Sequence, residues 1–234
     1  MKNNFKFLTS LLLIMTISYF VSAQKKAKPF QGTMIFTVSY SGEGLTPMMK
    51  ANLPAEVSMS YKESNTRTEY TSSQTSVAYI TRYDSLTTTI LYDMGVQKFA
   101  CTISSKEKTQ ESLKNLLPAK IKYFDSTKVI AGYTCKKAEI TSFIKDKETG
   151  EIDSSKSVIY YTDDIYIPNS NWNTDFKEIK GVLLEFSDDR NGIISVYTAK
   201  EVKKKKLLDS FFLIPSDYQI MTPEEFMGGG GEGE

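Results

Sequence analysis

Short runs of β-branched and aromatic residues, broken again and again by turn residues, constrain this chain more than any other feature. Residues 33–40 (TMIFTVSY) stop at Ser41-Gly42, and similar runs follow at 56–61, 67–71, 77–83, 87–93 and 96–103. Thr, Tyr, Val and Ile dominate them, as the half-buried surface of a sheet favours. The runs at 87–93 and 96–103 are separated by Met94-Gly95, short enough for a tight hairpin. Strand signals return at 121–124, 133–143, 158–161, 182–186 and 193–202, the last two joined by the turn residues Asp188-Asp189-Arg190-Asn191-Gly192. A polar stretch, 145–155, and an irregular one, 165–180, read as loops. No alternation of strand and helix occurs, and no internal repeat. The expected fold is mainly β (α+β): a large curved antiparallel sheet or half-barrel with one or two helices on its concave side.

One helix is expected, over 104–117. Ser104 and Glu107 form a possible capping box. Leu113, Leu116 and Leu117 share one narrow apolar face, and Pro118 ends the run. So narrow a face suits a helix lying on a sheet.

Residues 1–23 read as a secretory signal peptide. Lys2 and Lys6 precede an apolar stretch at 8–21, and Val21-Ser22-Ala23 offers small residues for cleavage. Fourteen apolar residues are too few to span a bilayer comfortably, so cleavage is expected rather than anchoring. No Cys follows the cleavage point, which argues against a lipoprotein. The expectation is an exported protein, periplasmic or secreted, soluble and without a transmembrane segment after cleavage. Removing 23 of 234 residues leaves 211, with 27 basic and 28 acidic side chains. Such a balance gives no electrostatic footprint for nucleic acid. Residues 24–29 read as a flexible basic arm, 30–222 as a single β domain, and 223–234 as a flexible Gly/Glu tail.

Composition removes much chemistry. Histidine is absent, so neither a Ser-His-Asp nor a Cys-His arrangement can be assembled, and zinc sites built on His or four Cys are excluded. Asp163-Asp164 and Asp188-Asp189 are adjacent carboxylates, which suit turns rather than two groups facing each other across a sugar. A calcium site on Asp163, Asp164 and Asp175 lacks any loop signature. No catalytic residue, metal site or cofactor is expected, and the protein reads as a non-enzyme. Cys101 and Cys135 fall in two strand segments. As the pair in an exported chain they are disulfide candidates, worth about 3–4 kcal/mol on the chain-entropy account; two buried thiols are the alternative.

Three features point towards binding. Leu45, Met48, Met49 and Leu53 lie on a Gly/Pro-rich connection, and Met adapts to varied ligands. Trp172 lies on the long irregular segment as a rim, a lid or a packed loop. Tyr79, Thr81 and Tyr83 share one face of their strand, with Ala78, Ile80 and Arg82 on the other. The tentative ligand lining is therefore Leu45, Met48, Met49, Leu53, Leu113, Leu116, Leu117 and Trp172. The four lysines 203–206 are expected at a solvated edge or hairpin tip, with contact to anionic headgroups as the alternative.

Residues 129–138 (VIAGYTCKKA) resemble a recurrent element of an exported Bacteroidetes family of unknown function. Phe30-Gln31-Gly32-Thr33, Tyr160-Tyr161-Thr162, Lys180-Gly181-Val182-Leu183-Leu184-Glu185 and Ile214-Pro215-Ser216-Asp217-Tyr218 also fit it. Such proteins are similar to the lipoprotein carriers of LolA and LppX type. That resemblance implies a LolA-like half-open antiparallel barrel, closed by helices around an apolar cavity for acyl chains, and supplies no catalytic residue. Two functions follow as expectations. One is a periplasmic or secreted non-enzymatic protein binding a lipid or other hydrophobic small molecule. The other is an envelope module that docks a partner protein and has no ligand cavity.

Overall fold

The computed structural model describes residues 28–72, 75–104, 116–145, 149–172, 174, 176–190 and 192–228. The expected signal peptide and most of the expected 104–117 helix, including Leu113, lie outside the described residues.

The described chain forms one open, curved sheet of twelve strands. In chain order they are β1 (Gly32–Ser41), β2 (Glu56–Lys62), β3 (Asn65–Thr71), β4 (Ser76–Arg82), β5 (Thr87–Asp93), β6 (Lys98–Ser104), β7 (Leu116–Ile130), β8 (Tyr133–Lys145), β9 (Ile152–Thr162), β10 (Val182–Arg190), β11 (Ile193–Lys204) and β12 (Gln219–Met221). Two short helices accompany them, α1 (Pro47–Asn52) and α2 (Pro223–Gly228), with a 3-10 turn at Asp209–Phe212. Across the sheet the order is β12-β6-β5-β4-β3-β2-β1-β11-β10-β9-β8-β7. Every neighbouring pair is antiparallel except β12 with β6. Hairpins build both halves. The one joining β7 to β8 turns on Ala131-Gly132, both at positive φ (48° and 85°), as a two-residue hairpin with the twist of its strands requires.

Several local readings change. Ser104 ends β6, while Leu116 and Leu117 begin β7, paired with Ile144 and Phe143 of β8. Pairing with β8 overrides a leucine spacing that also suits a helix. The register slips between Leu117 and Lys120, which accommodates Pro118, a residue with no N–H for the ladder. Part of the polar stretch 145–155 belongs to β8 and β9, which pair as far as Lys145 and Ile152. The Gly/Pro connection after β1 carries α1, begun by Thr46, whose hydroxyl accepts from the Met49 N–H at 3.2 Å, and by Pro47 at the first helical position. Residues 223–228, expected as flexible tail, form α2. Thr222 and Glu225 cap it reciprocally: the Thr222 N–H donates to the Glu225 carboxylate at 2.8 Å and the Glu225 N–H to the Thr222 hydroxyl at 3.2 Å.

The main core sits where β1, β2, β10 and β11 meet the irregular stretch between β9 and β10. Met34, Phe36, Val57, Leu184 and Tyr197 come from the strands, and Ile165 and Ile167 from that stretch. Phe186 is its aromatic hub, stacked on Tyr197 at 4.8 Å and edge-on to Phe36 and Phe176 at 5.9 Å. Such pairs add about 0.5–1.5 kcal/mol each beyond area burial. A second cluster lies over β8–β10, where Phe176 and Ile179 cover Ala138, Ile140, Ile159 and Leu183.

Candidate functional site: an apolar groove on the inner face of β4–β6

Directly paired residues of neighbouring strands project to the same face of a sheet. One ladder runs Phe36–Val57–Tyr70–Val77–Tyr92–Phe99 from β1 to β6, and the next runs Met34–Met59–Thr68–Tyr79–Ile90–Cys101. Both start in the main core, where Met34, Phe36 and Val57 are fully buried. This is the inner face. The alternate residues Ala78, Ile80, Leu91 and Ala100 project to the outer face.

The outer face of β4–β6 is sealed by the chain's own residues 207–218. Leu207 and Phe212 are buried against Ala78, Ile80, Leu91 and Ala100, flanked by Phe211, Ile214 and Tyr218. Three cations fasten this strap. Lys62 donates to the Leu207 carbonyl at 3.0 Å and pairs with Asp209 at 2.5 Å. Arg67 donates to the Phe211 carbonyl at 2.9 Å with its guanidinium 4.5 Å from that ring's centre, and Arg82 donates to the Phe212 carbonyl. Farther along, Lys98 bridges Asp93 (3.2 Å) and Asp217 (2.9 Å). Those hydrogen bonds raise the Lys98 pKa and lower that of Asp217.

Among the described residues no such strap covers the inner face of the same strands. After Tyr218 the chain adds β12 to the edge of β6 and turns as α2 onto the inner side. Val77, Tyr79, Ile90, Tyr92 and Phe99 then form the floor of a groove of about 520 Å³, with Met94 at one rim and Met221, Glu225 and Phe226 at the other. Tyr79 remains 39% exposed and Ile80, its neighbour in sequence, 0%. A groove with this lining offers contact area and dispersion to an apolar ligand. Glu225 is the one acidic residue among the described lining residues, already engaged in capping α2. Among the described residues no group of three His, Cys, Asp or Glu is placed to hold a metal ion.

The expected lining is not what forms this groove. Leu45, Met48, Met49 and Leu53 lie on or beside α1, where Met48 is 79% exposed, and none lines the groove. Leu117 is an exposed residue of the edge strand β7, away from the groove, and Leu116 begins that strand. Trp172 packs edge-on against Tyr83 at 5.6 Å, tying the irregular segment to the turn between β4 and β5. The groove residues carried one usable signal. β4, β5 and β6 are apolar at successive positions (Val77-Ala78-Tyr79-Ile80, Ile90-Leu91-Tyr92, Phe99-Ala100), a pattern of strands needing cover on both faces. Tyr79 was legible as a groove candidate by alternation. Met221 and Phe226 carried no signal, because they reach the site by a turn at the sheet edge.

The disulfide expectation is overturned. Cys101 and Cys135 are buried and not bonded to each other. They sit on β6 and β8, with eight strands between them in the sheet, whereas a disulfide needs Cα atoms within about 7 Å. Burial pushes the Cys135 thiol up to about 11.

The lysine run ends β11 and leads into the strap; it is neither an outer edge of the sheet nor a hairpin tip. Lys204, Lys205 and Lys206 line a second concavity of about 630 Å³ with Lys28, Gln31, Asp164 and Tyr166, over Phe30 and Ile165.

No protein-family profile matches the chain, and no curated protein matches it. Among solved structures, the crystal structure of LprF from Mycobacterium bovis is similar over 81% of this chain and 90% of that one, at 10% identity and a TM-score of 0.34. At that score the likeness carries no argument about ligand or activity.

Proposed function

We propose that this is an exported, non-enzymatic binding protein that holds a lipid or another hydrophobic molecule in the inner-face groove. The observation that carries the reading is the asymmetry of β4–β6. Their outer face is sealed by the strap, while the inner face presents Val77, Tyr79, Ile90, Tyr92 and Phe99 to an open volume of about 520 Å³. That volume falls within the ordinary range of small-ligand sites, about 300–1,000 Å³. Export rests on the basic and apolar pattern of residues 1–23. No helix among the described residues is long and apolar enough to cross a membrane.

Native mass spectrometry before and after lipid extraction tests the reading. A delipidated protein that regains mass with a fatty acid or phospholipid supports it, and one that binds neither sinks it. A second reading, docking of an envelope protein, draws on exposed apolar residues near the groove: Val96 is 96% exposed, and Met227, on α2, is also exposed. Recovery of one saturable envelope partner by a lipid-free protein would favour it.

A further inference from the structure

We propose that the cleft at the start of β1 is a binding site for a phosphate-bearing anion, separate from the apolar groove. The two concavities share no lining residue. The cleft forms where residues 28–31 pass between two other segments. On one side the Phe30 N–H donates to the Tyr166 carbonyl at 2.7 Å, and on the other the Lys205 N–H donates to the Gln31 carbonyl at 3.2 Å. Gly32 makes the close passage possible, since a Cβ there would lie 2.0 Å from the Lys203 carbonyl oxygen. Phe30 and Ile165, both buried, form a fixed apolar floor. Tyr166, half exposed, stands at its side.

Four lysines, Lys28, Lys204, Lys205 and Lys206, are among the residues lining this concavity, and Asp164 is the one acidic residue among the described lining residues. The cleft is therefore about three charges positive in a chain whose net charge is +1. Several other lysines of the sheet lie against carboxylates: Lys203 against Glu201 (2.7 Å), Lys200 against Glu56 (2.6 Å), Lys136 against Asp163 (2.5 Å) and Lys128 against Glu185 (2.7 Å). Like charges converging on a concavity repel each other, and low-dielectric walls focus the resulting field outward on a counter-ion. A multiply charged phosphate answers that field best, because it brings two or more negative charges and several acceptor oxygens to amines that are donors only. A singly charged carboxylate would leave most of the excess uncompensated. The phosphate could arrive free, or as several adjacent monoanionic headgroups of a lipid surface that together present the same charge and acceptor oxygens to the lysines.

The test uses the chain from residue 24 to 234, inorganic pyrophosphate as the free anion, and vesicles of phosphatidylglycerol or phosphatidylcholine as the lipid arms. Pyrophosphate is titrated while backbone amides are followed by NMR. Expected are saturable shifts at residues 28–31, 164–166 and 204–206, weakening as salt rises, and at least tenfold weaker binding in Lys204→Glu/Lys206→Glu. Co-sedimentation with phosphatidylglycerol but not phosphatidylcholine, lost in the same variant, would assign the phosphate to a headgroup. Pyrophosphate shifts without sedimentation would assign it to a soluble ligand. Lys50→Glu, on α1, should change neither result. The proposal is overturned if neither probe binds, or if binding is unchanged in the double variant while that variant keeps the wild-type amide spectrum elsewhere.

Discussion

Residues 79 and 80 are adjacent on β4, yet a lysine at each should have very different consequences. Ile80 is fully buried beneath the strap, among Ala78, Leu91 and Phe212. Directly opposite Ile80 stands the cation Arg67, to which Glu69 is already paired at 2.8 Å, so Ile80→Lys removes a packed side chain and buries a charge beside a like one. Together these should cost about 4 kcal/mol or more. Tyr79 is 39% exposed and faces the groove, so the lysine of Tyr79→Lys can lay its stem along the floor and keep its charge in water. The main loss is the edge contact with Tyr70, 5.9 Å between ring centres, worth about 1 kcal/mol. With a urea m-value of about 2 kcal/mol/M, the midpoint should fall by roughly 2 M for Ile80→Lys and roughly 0.5 M for Tyr79→Lys. Urea unfolding followed by far-UV circular dichroism measures both. Comparable damage from both would refute the asymmetry: a severe Tyr79→Lys means the inner face is sealed, and a mild Ile80→Lys means the strap is not seated.

Three other outcomes follow from the same geometry. Native protein should react slowly with a thiol reagent at pH 8, because Cys135 is buried with its thiol pushed up to about 11. Two thiols should then titrate after denaturation, and a reductant should leave Tm unchanged, whereas a mass 2 Da low without reductant would contradict the free-thiol state. Tyr83→Ala should remove the edge contact with Trp172, cost about 1 kcal/mol and red-shift the emission of the chain's single tryptophan; an unmoved maximum would count against that packing. Lys98 holds the Asp217 carboxyl below its ordinary value. Its stabilisation is therefore complete above pH 3.8 and is lost as pH falls through the depressed value. Amide exchange at Tyr218 should accelerate in that acid range, and Lys98→Met should remove the pH dependence; an unchanged profile in the variant would exclude the pair as its cause.

The sheet was legible in the sequence because period-2 patterning and turn residues are local properties. β1 to β6 lie close to the runs read from residues 33–103, and β10 and β11 flank the expected Asn191-Gly192 turn. Leu116 and Leu117 misled because three leucines at helical spacing say nothing about a strand partner 26 residues away. The site was less legible because its determinants are long-range. That Tyr79 faces a groove and Ile80 a seal depends on which face residues 207–218 cover, and the fastening groups Lys62, Arg67 and Arg82 are distant from them in sequence. Cys101 and Cys135 look paired by count and are kept apart by strand order. The Lys203–Lys206 run could be read as charge, but its convergence with Lys28 requires the placement of residues 28–31 between two segments.

Photo-crosslinking with a diazirine fatty acid, mapped by peptide mass spectrometry on delipidated protein, tests the central claim most directly. Label concentrated in peptides covering 76–104 and 219–228, displaced by unlabelled fatty acid and lost in Tyr79→Lys, is the result expected of an inner-face groove. Label scattered over the surface, or undiminished by competitor, would contradict it.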